Sequence, residues 1–381
     1  MDIFQHRYYR LGKILMSLTG QWPYQSIHAR LGIIGALVLF GAYDVIDQPL
    51  TVVKYRDDWN ILMQCFLPYL FEAVAAAKFF SFMCNSPKIL KLLDRIRTDW
   101  QVWARHQEVK TLHEYAERGE KITIVYAGKS SIAKGISNFT IIVLSIFRAA
   151  MVYFLIDIVM KNGTEPGRFA YPVTYDHFNV QKYYFCLNIY CTVCGLVAAT
   201  VVISNEVMLI LYVQHVCGIF AAVGISFRTL KVTEGSPYAL NEKDTVNLAS
   251  CIERHNDYEC IYQVTHGIYF LPSDLASVAT VGLTSATVFV YYVECDISQI
   301  LIDHSINIRF CIQNSEWYRL APKTQKILQL MTMRCNIPCQ LTAGNMLIMS
   351  MQTFGLVRTI VSSLTLHQHF LTSDKLSLSC K

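Results

Sequence analysis

Tyr184-Phe-Cys-Leu-Asn-Ile-Tyr-Cys-Thr-Val-Cys-Gly-Leu-Val-Ala-Ala-Thr-Val-Val-Ile-Ser-Asn-Glu-Val-Met-Leu-Ile-Leu-Tyr-Val213 is apolar over nearly all of its length. A hydrocarbon core about 30 Å thick is crossed by roughly 20 such residues in a helix, so the stretch reads as a membrane span. Comparable runs lie at 31–50, 59–83, 136–160, near 269–293 and at 341–366. About six clear spans make the chain an all-α, polytopic membrane helical bundle.

Composition agrees. Of 381 residues, 53% are hydrophobic and 16% charged, against about 25% charged in an ordinary soluble chain. The net charge of +5 sits in a few loops, whereas a nucleic-acid partner calls for a basic stripe on a soluble domain; none is expected. The 13 cysteines show no framework of spacings, so mostly unbridged thiols are expected. Cys191 and Cys194 form a C-x-x-C inside the apolar run with no second pair or nearby His, and read as small residues on a buried helix rather than metal ligands. No cofactor is expected.

The N-terminus mixes charges and aromatics before any apolar core, unlike a cleaved signal peptide; the first span is expected to insert as a signal-anchor. Arg7, Arg10, Lys13 and Arg30 precede it, and Lys88, Arg95, Arg97, Arg105, Lys110 and Lys134 fill the loop between spans two and three. The positive-inside rule puts both in the cytoplasm. Alternation then places loops 51–58 and 161–182 outside, where Asn162-Gly163-Thr164 is a candidate glycosylation sequon. Asn138-Phe139-Thr140 lies too deep in span three for modification. Ile89, Leu90, Leu92, Leu93 and Ile96 share a helical face, with Lys88, Lys91, Asp94, Arg95 and Arg97 around the other side, which predicts an amphipathic helix continuing span two.

From Cys251-Ile-Glu-Arg-His255-Asn-Asp-Tyr258 onward, the chain resembles the insect odorant receptor family. The fragments Ile302-Asp303-His304-Ser305, Ser315-Glu316-Trp317-Tyr318, Lys323-Thr-Gln-Lys326, Met331-Thr-Met-Arg334, Leu341-Thr342-Ala343-Gly344 and Ser350-Met-Gln-Thr-Phe354 stand in that family's order. Upstream the similarity is one of layout: Gly20-Gln-Trp22-Pro23-Tyr24, a long first cytoplasmic loop, and a Tyr- and Pro-bearing loop at 169–175. The spacing is most similar to receptors of ants, bees and wasps. The resemblance implies seven transmembrane helices with the N-terminus inside, in a hetero-tetramer with an odorant receptor co-receptor at the plasma membrane of a sensory dendrite. It implies a volatile apolar ligand held in the outer half of the bundle and a last helix lining a cation pore. It divides the chain into a cytoplasmic N-terminus (1–30), a ligand-binding bundle (31–295), a cytoplasmic anchor region (296–340) and a pore helix with tail (341–381).

The chain departs from that plan between His266 and Ser305, where the family has two spans and this sequence has room for one. With six spans, the region 296–340, carrying Arg309, Arg319, Lys323, Lys326 and Arg334, would fall outside, against the positive-inside rule. A faulty gene model or splice form, or an unusual crossing near Ser273-Asp274, would account for this. The last helix also ends differently, on Leu364-Thr365-Leu366-His367-Gln368-His369; two imidazoles there would either meet the pore mouth or face solvent in the tail.

Ligand-site candidates are outer-half residues: Met63, Phe66, Tyr69 and Leu70 of span two, Met151, Tyr153, Phe154 and Ile158 of span three, and Tyr184, Leu187 and Tyr190 of span four. Such a residue taken singly is more often packing than pocket; together they mark one depth. Val361, Leu364, His367 and Leu371 are the pore-lining candidates. Glu72 and Arg148 lie near mid-bilayer, where an unpaired charge costs several kcal/mol, so they are expected to pair beneath the pocket. Asn205 and Glu206 are expected at the inner water boundary, and Asp44 and Asp47 near the outer end of span one.

Other classes fit less well. A G-protein-coupled receptor needs its N-terminus outside, and its triplet after span three and its Asn-Pro-x-x-Tyr are missing. Metalloprotease, hydrolase-elbow and P-loop motifs are absent too, so no enzyme is expected. A gustatory-type channel shares the inverted plan but lacks its last-helix signature here, and a non-functional truncated receptor is the remaining alternative.

Overall fold

One helix organises the bundle, and it is longer than the apolar run that announces it. The structure, a computed structural model, describes residues 3–56, 59–104, 106, 108–126, 180–229, 278–343, 347–357 and 359. In it, helices α1 (Arg7–Leu18), α2 (Ile27–Lys54), α3 (Trp59–Cys84), α4 (Ser86–Trp103) and α5 (Val109–Tyr126) are followed by α6 (Val180–Arg228), α7 (Val278–Gln313) and α8 (Pro322–Arg334). A two-residue antiparallel pair, β1 (Thr342–Ala343) with β2 (Leu347–Ile348), precedes a helix beginning at Met351. Among the described residues, Ile189–Arg228 is the one helical stretch long and apolar enough to cross a bilayer.

At 49 residues, α6 is about 73 Å long, more than twice a hydrocarbon core. Its two halves live differently. Toward the N-terminus, Ile189, Val193 and Leu196 are exposed at helical spacing, an apolar stripe suited to lipid. From Ile210 to Phe220 the helix is buried on every side, with Ile210, Val213, Val216, Ile219 and Phe220 enclosed. A helix apolar all round is stable only when covered, and α1, α5 and α7 cover this one. Full burial of each such side chain contributes about 1.5–3 kcal/mol. The helix runs on to Arg228, past the expected end at Val213, because Gln214 and His215 are buried against other helices and so do not stop it.

Contacts fix the directions. Along α6, Met16, Gly12 and Tyr9 of α1 meet Ser204, the Val207–Leu211 turn and His215 in that order; α1 is antiparallel. Gly119 of α5 meets Gln214, and Tyr115 meets Gly218, so α5 is antiparallel as well. Glu294 of α7 shares a partner with Glu206, and Cys311 abuts Gly224. The offset barely changes along the pair, so α6 and α7 run parallel.

This parallel course bears on the parity problem. The chain leaves α6 at the end of the bundle that holds α1 and enters α7 at the opposite end. Past α7 it turns back. Cys339 N–H donates to Ser305 Oγ at 3.1 Å, Leu341 N–H to Ser298 Oγ at 3.4 Å, and Phe354 packs on Tyr291 and Tyr292 at 5.9 and 5.4 Å. The final segment therefore climbs antiparallel to α7. Its helix starts at Met351 rather than Leu341, because the β pair intervenes and Ser350 caps the first turn, accepting Thr353 N–H at 3.2 Å.

The first two runs expected as spans are helical over their expected bounds: α2 contains 31–50 and α3 covers 59–83, while α4 follows after Asn85 alone. Its buried face is Ile89, Leu93, Ile96, Trp100 and Trp103, with Lys88, Lys91 and Asp94 outside. The N-terminal segment docks on this face through Tyr8 and Tyr9, which meet Trp100, while Arg97 lies over Phe4 and Tyr24. Gly20, at φ 68°, closes α1: Gln21 N–H reaches Met16 O at 2.9 Å and Gly20 N–H reaches Ser17 O, the paired bonds of a left-handed C-cap. The expected fifth span near 269–293 is described from Val278 and continues without a break through 295 to Gln313. Spans at 136–160 and the sequons Asn138 and Asn162 lie outside the described residues.

Close packing makes a prediction. A Cβ on Gly218 would stand 3.0 Å from Tyr115 Cβ, whereas one on Gly32 meets nothing within 4 Å. Gly218→Leu should lower stability by about 1–3 kcal/mol, and Gly32→Ala should be neutral or slightly stabilising. Thermal unfolding of detergent-solubilised protein checks this; equal midpoints for the two variants would contradict the packing.

Candidate functional site

The ligand-site candidates divide by what is described. Met63, Phe66 and Leu70 lie on α3 and Tyr184 on α6, but their side chains fall outside the described residues. So do Met151, Tyr153, Phe154 and Ile158, and Val361, Leu364, His367 and Leu371 entirely. Tyr69 is half-buried on α3; on α6, Leu187 is buried and Tyr190 half-buried. α3 and α6 pack together and are taken to run in the same direction, since Lys78 of α3 meets Glu206, and Asp99 of α4, the helix that follows α3 after Asn85 alone, meets His215 farther along α6. Counting back at 1.5 Å per residue puts Met63 and Phe66 about 18–22 Å, and Leu187 and Tyr190 about 24–28 Å, beyond the Lys78–Glu206 contact. The candidates thus share one end of the bundle.

At the other end of that interval is a charged cluster that the sequence reading missed. Lys78 Nζ of α3 donates to Glu206 of α6 and, at 2.7 Å, to Glu294 Oε1 of α7. Lys78 is 5% exposed and both glutamates 0%. Glu206 is therefore not at a water boundary; it is enclosed by three helices, and neighbouring Asn205 is half-buried, its amide donating to Val201 O. Taking charges out of water costs several kcal/mol each, which only mutual pairing offsets. The expected pair was Glu72 with Arg148. Glu72 is half-buried on α3, and Arg148 lies outside the described residues. A signal for this cluster existed: Lys78, Glu206 and Glu294 each interrupt an apolar run. What no local pattern gave was the pairing.

Below the cluster a second buried network ties α1 to the core. Asp99 accepts from His215 Nε2 at 3.3 Å and sits 3.4 Å from Arg95 Nε. His215 Nδ1 lies 3.4 Å from Tyr9 Oη, which accepts from Trp100 Nε1–H at 3.1 Å. Burial, with Asp99 close by, pushes the Tyr9 phenol above its ordinary range, so it stays neutral and supplies a hydroxyl proton to the imidazole. In parallel, Tyr8 Oη meets His113 Nδ1 at 3.3 Å, and Tyr115 Oη meets His304 Nε2 at 2.6 Å. A cavity of about 410 Å³ lies beside Asp303, His304, Ile306, Asn307 and Phe310. It belongs to this basal layer and is far from the ligand candidates.

The bundle thus combines an apolar stripe suited to lipid, a polar-locked basal layer and a returning last helix. The profile of the 7tm odorant receptor family matches residues 60–269 and 267–361. The chain belongs to that family. The receptor also has the fold of insect olfactory receptor OR5 from Machilis hrabei in complex with eugenol, with a TM-score of 0.72 and 12% identity over 97% of this chain and 100% of that one. A second OR5 structure aligns with a TM-score of 0.69 and 12% identity, covering 96% and 98%. No curated protein matches the sequence. The receptor is thus an all-α membrane bundle of a receptor family, not of an enzyme family. The two family segments overlap at 267–269, within the stretch between His266 and Ser305 expected from the sequence to be short.

Two outcomes follow for the basal network. Asp99→Ala leaves Arg95 and His215 without their shared carboxylate and should cost about 3 kcal/mol; a thermal midpoint equal to wild type would refute the network. Burial, with His6 and Arg7 nearby, holds His113 below the ordinary imidazole range, so the unfolded chain binds this proton at higher pH than the folded one. Stability linked to His113 is full above about pH 6.5 and declines as pH falls toward the folded value. Midpoints measured from pH 7.5 to 5 should fall less steeply for His113→Gln; an unchanged slope would rule His113 out as a contributor.

Proposed function

We propose that the receptor is an odorant-tuned subunit of a ligand-gated, non-selective cation channel, assembled with an odorant receptor co-receptor in the plasma membrane of a sensory dendrite. Residues 1–30 are its cytoplasmic N-terminus, 31–295 its ligand-binding bundle, 296–340 its cytoplasmic anchor, and 341–381 its pore helix with tail. A small volatile apolar ligand sits at the outer end, among Met63, Phe66, Tyr69 and Leu70 of α3, Leu187 and Tyr190 of α6, and Met151, Tyr153, Phe154 and Ile158. An apolar molecule with few polar handles is best held by such a shaped, mostly apolar space. OR5 from Machilis hrabei, which shares the fold, has a structure in complex with eugenol, and this supports the ligand class.

The observation that carries the reading is the course of the last three elements. With α7 parallel to α6 and the final segment antiparallel to α7, the set Arg309, Arg319, Lys323, Lys326 and Arg334 falls at the same end as Arg7, Arg10, Lys13 and the basic face of α4. Both halves then obey the positive-inside rule with the N-terminus in the cytoplasm. The last helix, described from Met351, climbs outward as a pore helix on this plan does, and Val361, Leu364, His367 and Leu371 are the residues proposed to line the pore. Asn162 falls outside the cell and is open to glycosylation.

A second reading, a shortened chain that does not conduct, draws on the two-part family match. Co-expression with an insect odorant receptor co-receptor separates the two, recording whole-cell current against a broad volatile panel with surface labelling of the same cells. Odorant-evoked current that vanishes without this chain supports the tuning subunit; retention inside the cell while the co-receptor reaches the surface supports the shortened form. In the responsive case, Tyr190→Ala should shift the half-maximal concentration roughly 10- to 200-fold, as for a loss of about 1–3 kcal/mol of contact. An unshifted curve would remove Tyr190 from the ligand site.

A further inference from the structure

We propose that the Lys78–Glu206–Glu294 cluster is a register lock that sets the balance between the receptor's resting and open states. This rests on the channel reading above and names residues that touch neither ligand nor pore.

Three observations converge. First, the cluster joins the helices that matter: α3 and α6, which carry the ligand candidates, and α7, on which the last helix packs. Tyr291, one turn from Glu294 on α7, contacts Phe354 of that last helix, as does Tyr292. A shift of α3 or α6 caused by a ligand at the outer end reaches Phe354 along α7 either through this cluster or by breaking it.

Second, the cluster is a poor choice if stability were its only consequence. Three well-packed apolar side chains would serve an enclosed site as well or better, and the best-attested use of a buried ion group is to specify register. Apolar faces of parallel helices tolerate small slides. One ammonium between two carboxylates does not, because hydrogen bonds weaken steeply with distance and angle.

Third, the arrangement is intrinsically two-sided. Lys78 holds Glu206 and Glu294 at once, so α7 can move relative to α6 by giving up one arm while the charge keeps the other. Packed interfaces switch between discrete arrangements rather than deforming continuously, and a ligand need only favour one of them. The resting register is the one in which both arms are made; the open register releases the Glu294 arm.

The test uses the full chain with its co-receptor, reading agonist-free current and half-maximal odorant concentration, each normalised to surface-labelled receptor. Glu294→Gln is nearly isosteric and weakens one arm. It should raise agonist-free current per surface receptor and lower the half-maximal concentration by about 5-fold or more, with the maximal current unchanged. Lys78→Met should act in the same direction, and the exchange Lys78→Glu with Glu294→Lys should return both readouts toward wild type relative to either single reversal. A purely structural role would change the number of receptors at the surface and neither normalised readout, and that result would overturn the lock. A wild-type chain that reaches the surface yet passes no odorant current overturns the channel reading and the lock together, whereas a responsive wild type with unshifted Glu294→Gln overturns the lock alone.

Discussion

A helix that is apolar on every side has to be enclosed along its whole length, and α6 meets that demand with two different surroundings. Its first half presents an exposed stripe to lipid; its second half is wrapped by α1, α5 and α7. Everything else takes its place and direction from this rod. α1 and α5 run against it, α7 runs with it, and the last segment runs against α7. The contacts are close enough at Gly218 and Gly224 that a single added carbon would crowd Tyr115 or Cys311, so a shift of one helix along another passes between discrete packings.

Polar groups enter this enclosed core at two levels and do different work. In the basal layer, Asp99, His215, Tyr9 and Trp100 form a chain of hydrogen bonds that joins three helices and holds the N-terminal segment in place. Higher up, Lys78, Glu206 and Glu294 join α6 to two others, α3 and α7. Each network is satisfied only by residues far apart in the chain, so each is specific for one packing of the helices. Buried charges add little net stability over apolar replacements, and what they contribute is the choice of one arrangement over its neighbours.

The parallel course of α6 and α7 matters beyond geometry. A count of apolar runs leaves the basic region after α7 on the wrong side of the membrane. In the fold, α7 enters from the end opposite α1 and finishes beside α5, where Tyr115 meets His304. The basic residues after it therefore join those of the N-terminus at one end, and the electrostatics of both halves of the chain agree.

The sequence alone determined the elements whose signal is local. Apolar length marked α2, α3 and α6; the 3.6-residue period of Ile89, Leu93 and Ile96 marked α4; and the ordered fragments from Ile302 to Phe354 marked the family. Such features are written in neighbouring residues, so a single pass along the chain finds them. Tertiary structure decided what depends on distant partners: that α6 continues through Gln214 and His215 because Asp99 and Tyr9 receive the imidazole, that the last helix waits until Ser350 can cap it, and that Glu206 answers Lys78 and Glu294 rather than water. A lone ionisable residue in an apolar run announces that it needs a partner, but the identity of that partner is a fact of helix packing, because a charge interacts through space with whatever the fold brings near and carries no record of it in the adjacent sequence.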